Sequence, residues 1–199
     1  VAYTLSRRDF VLRKPFQLLF VVTMYVGGGM IPEYLLIIRT LKLGNNFMVY
    51  ILPGLMWVYN MILVRSYIDG LPMALQEAAK LDGANDFQIW YKVVMPLCKP
   101  VIATVGLYYA VGQWNSYFNA LIYIRSESLQ PLQIVLRSIL VGNQTMSAMS
   151  TGAAAVEAKQ MADLIKYAII VVSSAPIMCM YPLVQKYFNQ GVMLGSLKG

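Results

Sequence analysis

Residues 100–124 read PVIATVGLYYAVGQWNSYFNALIYI. Twenty-five residues pass here between Lys99 and Arg125 without a charge. A helix needs about 20 mainly apolar residues to cross the hydrocarbon core of a bilayer. Three more neutral runs stand beside it: 18 residues between Lys14 and Glu33, 22 between Lys42 and Arg65, and 19 between Lys166 and Lys186. They contain FQLLFVVTMYVGGGMI, FMVYILPGLMWVYNMILV and YAIIVVSSAPIMCMYPLV. A fifth neutral run, 138–156, is rich in Ser, Thr, Asn, Gln, Ala and Gly and is not read as a span. Four spans are therefore expected, at about 15–32, 46–65, 100–124 and 166–185, in an all-α polytopic membrane bundle. The first run does not follow the pattern of a cleaved signal peptide.

Composition agrees. Of 199 residues, 58% are hydrophobic and 13% charged, and mean hydropathy is +0.57. An ordinary soluble domain carries about 25% charged residues. Four such helices in the core of a soluble protein would leave little to face water. Histidine is absent, which removes Ser-His-Asp and Cys-His catalysis, His-ligated metals and His pH switches. Cys98 and Cys179 stand far apart in apolar surroundings, with no CxxC between them. No GxxxxGK[ST] occurs, so no nucleotide is held through a P-loop. The chain is expected to be no enzyme and to need no metal or cofactor.

The basic residues orient the bundle. Ten lie in the segment before the first span, the connection between the second and third, and the tail, against six on the other side. The positive-inside rule places both ends of the chain in the cytoplasm. The net charge of +7 suits anionic lipid next to the membrane, and no module for nucleic acid accompanies it. Pro53, Pro100, Pro176, Pro182 and Gly27-Gly28-Gly29 lie in or beside the spans. They read either as kinks and close packing or as the lining of a cavity.

A hairpin of membrane helices needs only a short link, yet the connection 66–99 has 34 residues and is organised. Pro72 suits a first helical turn, and MALQEAAKL is made of helix formers. Asp82-Gly83 stops that helix, Gly83 fitting a left-handed position. Asn85 and Asp86 cap a second short helix through IWYKVV, ended by Pro96. The expectation is two short helices with a sharp corner at the membrane surface. Ala74, Ala78 and Ala79 offer a face that another backbone approaches closely. An ordinary amphipathic interfacial helix is the plainer alternative.

Glu77-Ala78-Ala79, three residues, Gly83, nine residues, then Val93-Val94-Met95-Pro96 resembles the EAA loop of ABC importer permeases. That loop reads EAA, three residues, Gly, nine residues, Ile, any residue, Leu-Pro. Val93 replaces the Ile and Met95 the Leu, both apolar. AAKLDGAN and VMPL are similar to the words around that loop. AYTLSRRDF (2–10) resembles the cytoplasmic end of the second helix in maltose-type permeases. QKYFNQGVMLGSLKG (185–199) resembles the Gly-rich tail of one subunit of that heterodimer. On that opening, and because the chain starts at Val1, it is expected to be the C-terminal part of a longer permease.

The resemblance implies a MetI-like membrane subunit of a type I ABC importer for carbohydrate, an oligosaccharide or glycan fragment. It implies a cytoplasmic ATPase dimer, a second homologous permease subunit and an extracellular sugar-binding protein as partners, in a bacterial cytoplasmic membrane. The loop becomes a coupling helix docked on the ATPase through Glu77, Ala78, Ala79, Asp82, Gly83, Ala84 and Pro96, with Leu75 and Leu81 buried. Gly195, Lys198 and Gly199 of the tail 186–199 would reach the ATPase, a segment that otherwise reads as a frayed terminus. The outer loop 125–163 would carry a short amphipathic helix over LQPLQIVLRSIL. Its flexible part, 142–152, would either point towards the binding protein or form a plain loop.

The most polar span residues are Gln113, Trp114, Asn115, Ser116, Tyr117 and Asn119. Aromatic rings stack on sugar faces and amides bond hydroxyls, so Gln113, Trp114, Asn115, Tyr117 and Asn119 are candidates for a substrate pathway. An aromatic belt or helix packing accounts for the same residues. A secondary transporter or channel is the alternative function. It usually needs ionisable groups within the membrane, and none lies inside the four runs.

Overall fold

The computed structural model describes residues 1–149 and 153–196. All its regular structure is helical among these residues. In chain order come α1 (Ala2–Ser6), α2 (Arg13–Tyr25), α3 (Met30–Leu35) and α4 (Val58–Asp69). The connection follows as α5 (Met73–Leu81), α6 (Asp86–Gln88) and α7 (Met95–Leu97), with a wide π-helical turn Ile89–Val94 between the last two. Then come α8 (Lys99–Trp114), α9 (Phe118–Tyr123), α10 (Leu132–Met149) and α11 (Ala153–Ser196).

The chain divides into two compact units. One comprises Val1–Glu33, Pro53–Tyr109 and the chain from Val184. Its core joins Ile68, Ile89, Val94 and Cys98, with Ala2, Tyr3, Ala79 and Ala84 packed around them. Leu5 of α1 is buried in this unit, as are Met61 and Ile68 of α4. The other comprises Tyr34–Leu52 and Ala110–Leu183. Its core joins Ile37, Val49, Ala120, Tyr123 and Ile124.

Asn45 closes the second unit. Its backbone has φ +53°, a left-handed conformation that Asn adopts more readily than most residues. Its N–H donates to the Tyr123 carbonyl at 2.8 Å. Its side-chain Oδ1 accepts from the N–H groups of Arg125 and Ser126 at 3.0 and 2.9 Å. One amide thus ties two segments about 80 residues apart.

The helices depart from the four expected runs in several places. The first run is two helices, sharply bent at 26–29, where Gly29 takes φ +83°. The second, expected over 46–65, is a 3-10 turn Phe47–Tyr50, then irregular chain, then α4. Pro53 has no N–H for a helical ladder and Gly54 adds backbone freedom, so 51–57 does not wind. The third run breaks after Trp114, where Ser116 Oγ donates to the Gln113 carbonyl at 2.8 Å and competes for a helical acceptor. The fourth lies inside α11, which begins well before residue 166, at Ala153.

Outside the runs, α10 extends to Met149, so 142–149 is helix where a flexible loop is expected. Residues 150–152 lie outside the described residues. Among the described residues one helix is long and apolar enough to cross a membrane, Ala155–Pro182. Two bent pairs also qualify when each is taken together.

Candidate functional site

The EAA segment forms a sharp corner. Helix α5 ends on Asp82, and Gly83 follows at φ +80°. The Gly83 N–H donates to the Lys80 carbonyl and the Ala84 N–H to the Ala79 carbonyl, both at 3.0 Å. These are the two bonds of a Schellman turn, which satisfies helix-end carbonyls through one left-handed residue. Helix α6 then starts on a reciprocal cap. Asn85 Oδ1 accepts from the Gln88 N–H at 2.8 Å, and the Asn85 N–H donates to Gln88 Oε1 at 2.9 Å.

The corner's faces differ. Ala79 and Ala84 turn inward onto the core. Glu77, Ala78, Asp82 and Gly83 are exposed. Among the described residues Glu77 pairs with no cation. Two large apolar side chains flank Gly83 in the open: Leu81 is 89% exposed and Phe87 69%. Leu75, on the same helix, is 44% exposed. The helix thus offers exposed apolar side chains and an exposed carboxylate on one short element. Phe87 was not singled out in the sequence, although it follows a cap directly.

Pro96 is exposed in α7, and the second helix does not end there as expected. The π-type turn before it is wider than an α-turn, and the helical chain continues to Leu97. It bends by 77° before α8. Gly195 falls in the last turn of α11 rather than in an extended tail, because the helix runs on to Ser196. Lys198 and Gly199 lie outside the described residues.

A second group of side chains anchors this corner. The Arg7 side chain is 13% exposed. Its Nε donates to Asp9 Oδ1 at 2.9 Å, and its Nη2 reaches the other Asp9 oxygen. Its Nη1 donates to Asp86 Oδ1 at 2.9 Å and to the Tyr3 hydroxyl at 3.1 Å. The Arg7–Asp9 bonds hold the Asp9 carboxyl down to about 2 and, with the Tyr3 hydroxyl, push the Arg7 pKa up. In the sequence Asp86 reads as a helix cap and Arg7 and Asp9 as part of AYTLSRRDF, and nothing local links Arg7 to Asp86 across 79 positions.

Asp9 is depressed in the folded chain, so its pairing contributes fully above its ordinary value of 3.8 and is lost as pH falls towards about 2. The side chain is mostly exposed, and the contribution is small. The difference in melting temperature between the native and Asp9→Asn complexes should therefore stay constant from about pH 5 to about pH 8. It should shrink only in more acidic solution, as followed by fluorescence-detected unfolding.

The candidate pathway residues divide into two sets. Gln113 Nε2 donates to the Tyr50 carbonyl at 2.7 Å, and Trp114 Nε1 donates to the Ser173 carbonyl at 2.8 Å. Both serve packing within their unit. Asn115 and Tyr117 stand exposed at the helix break, with Arg137 over the Tyr117 ring at 6.0 Å. Asn119 is half-buried in α9. Trp114→Phe should cost about 1 kcal/mol of stability for the lost hydrogen bond. Asn115→Ala should change stability by less than about 0.5 kcal/mol. Thermal unfolding of the purified complex distinguishes the two.

Residues 3–194 match the family model of the binding-protein-dependent transport system inner membrane component. The chain belongs to this family. It is thus an inner membrane component of such a transport system. One relative is the polygalacturonan/rhamnogalacturonan transport system permease protein YtcP of Bacillus subtilis (strain 168). It is 41% identical, with all of this chain and 69% of that protein covered. Protein LplC of the same organism is 38% identical, with all of this chain and 66% of that protein covered. The chain thus spans about two thirds of the length of these relatives. Among solved structures, a bacterial ABC transporter involved in the import of the acidic polysaccharide alginate superposes with a TM-score of 0.77 at 37% identity. The match covers 94% of this chain and 66% of that one. The all-α architecture of this permease component is that of its family.

Proposed function

We propose that this permease component forms half of the translocation pathway of a type I importer for carbohydrate, and that α5 is its coupling helix. The corner geometry carries the reading. Leu81 and Phe87 flank Gly83, and Glu77 and Ala78 face outward beside them. A cytoplasmic ATPase dimer hydrolyses the ATP, and its closure moves the corner as a rigid body. A second homologous permease completes the pathway, and an extracellular binding protein delivers the sugar. Both ends of the chain lie in the cytoplasm, in keeping with the Lys and Arg distribution. Gly195, Lys198 and Gly199 sit towards the ATPase. No resident cofactor is needed.

The substrate class is an oligosaccharide, and within it an acidic one. The names of YtcP and of the alginate transporter support this, as does the placement of Arg137 over Tyr117 beside Asn115. A guanidinium suits a uronate carboxylate, and a ring suits a sugar face. Asn115 and Tyr117 line the route, while Gln113 and Trp114 support it and Asn119 stands behind.

The experiment is reconstitution with the ATPase, the second permease and the binding protein encoded beside it. ATP hydrolysis should rise when the binding protein carries oligogalacturonide or oligoalginate, and should not rise with maltodextrin. Stimulation by maltodextrin alone would overturn the acidic class. Uptake that persists without the ATPase, driven by an ion gradient, would replace the importer with a secondary transporter.

A further inference from the structure

The segment 7–13, which joins α1 to α2, carries three charged side chains that each face a different element of the connection. Arg7 bonds Asp86 at the start of α6, at 2.9 Å. Asp9 faces Lys80 in the last turn of α5, at 3.9 Å. Arg13 faces Asp69 at the end of α4, at 3.8 Å. Lys80 and Asp86 stand three residues either side of Gly83. The Arg7–Asp9 pair therefore faces both arms of the corner, through a hydrogen bond to Asp86 and a looser charge contact with Lys80.

The Schellman turn and the reciprocal cap set the corner's own angle. Neither attaches it to the rest of the unit. That attachment comes from the apolar contacts of Ala79 and Ala84 on a core shared with Ala2 and Tyr3, and from the Arg7–Asp9 pair. Apolar contacts tolerate sliding. The bidentate Arg7–Asp9 pair fixes the guanidinium, and the charge-assisted bond that it then makes to Asp86 is directional and resists it. Arg7 is well suited, because its fork is planar and its side chain as a whole is mostly covered.

We propose that Arg7 and Asp9 are positioning residues: a strut that makes the coupling corner and the α1–α2 pair move as one body. The proposal rests on the coupling role of α5. A corner that slid over its support would absorb the ATPase's movement. A strutted corner passes it to α2 directly, a second route beside the covalent one through α4 and α8.

The test uses the complete complex of both permeases and the ATPase, with Cys179→Ser and spin labels at Met73 and Lys14. Both label positions are exposed and lie outside the strut. Their separation is measured without nucleotide and with vanadate-trapped ADP. In the unmodified complex it should change by less than about 2 Å. In Arg7→Gln and Asp9→Asn it should shift by more than that or broaden, and Arg7→Lys should recover part of the constraint. A separation that changes between states in the unmodified complex overturns the strut. So does one that stays fixed in both variants, which would mean the apolar contacts suffice. Should Arg7→Gln fail to assemble, Asp86→Asn removes only the exposed foot on α6 and must give the same shift. A third label in the ATPase, paired with Met73, separates the two ideas. If it shows α5 remote from the ATPase in both states, the coupling reading itself fails.

Discussion

A Gly83→Val complex should reach the membrane at its normal level and transport about 100-fold more slowly. Gly83 lies at φ +80°, and a Cβ built there meets nothing within 4 Å. The penalty is therefore backbone strain and not a clash. It is about 1–2 kcal/mol for an ordinary residue in the left-handed region, and more for a β-branched one. The corner relieves the strain by opening, which breaks the bonds from Gly83 to Lys80 and from Ala84 to Ala79. Leu81 and Phe87 then no longer present one surface. A coupling loss of about 3 kcal/mol corresponds to the stated factor. Solute uptake, with membrane levels followed by immunoblot, measures it. Gly83→Ala should show a smaller defect. Normal uptake by the Val variant would remove the corner from the coupling mechanism.

Leu81→Glu should release the ATPase from the purified complex while leaving the permease intact. Leu81 is 89% exposed, so its replacement costs the isolated chain little. Any large effect must come from a partner that covers it. Burying a Leu side chain contributes about 1.5–3 kcal/mol, and an unpaired carboxylate in the same place reverses the sign. Co-purification of the ATPase should fall more than about tenfold. Phe87→Ala should weaken it less, since it removes contact area without adding charge. An unchanged yield of ATPase with Leu81→Glu would place the docking surface elsewhere. The two predictions separate the proposed roles, Gly83 as the shaper of the corner and Leu81 as its point of attachment.

Much of the corner was legible because its determinants are local. Gly83 in a left-handed turn and Asn85 as a cap follow from rules spanning three to five residues. The helical runs were legible from hydropathy, but their breaks were not fully so. Pro53 signalled a kink or a cavity lining without deciding between them, and the structure leaves 51–57 unwound. Ser116 looked like one polar residue in a span until its hydroxyl was seen on the Gln113 carbonyl. Trp114 suited a sugar face as well as it suited packing, and its bond to the Ser173 carbonyl, 59 residues away, left no trace in the sequence. The loop expected at 142–149 is helix because α10 continues through its small and polar residues.

By itself the sequence determined the apolar helices, the capped corner and the family motif, because hydropathy and capping act over a few neighbouring residues. It also determined that no histidine chemistry or P-loop is present. Only the tertiary structure decided which charges meet. Arg7 reaches Asp86 across 79 positions, and Lys80 faces Asp9 across 71. Such pairs depend on how whole helices pack, and an ion pair leaves no periodic trace in the chain. Where Leu81 and Phe87 end up was likewise a matter of packing: Ala79 and Ala84 occupy the inner face of the corner and leave the larger side chains outside.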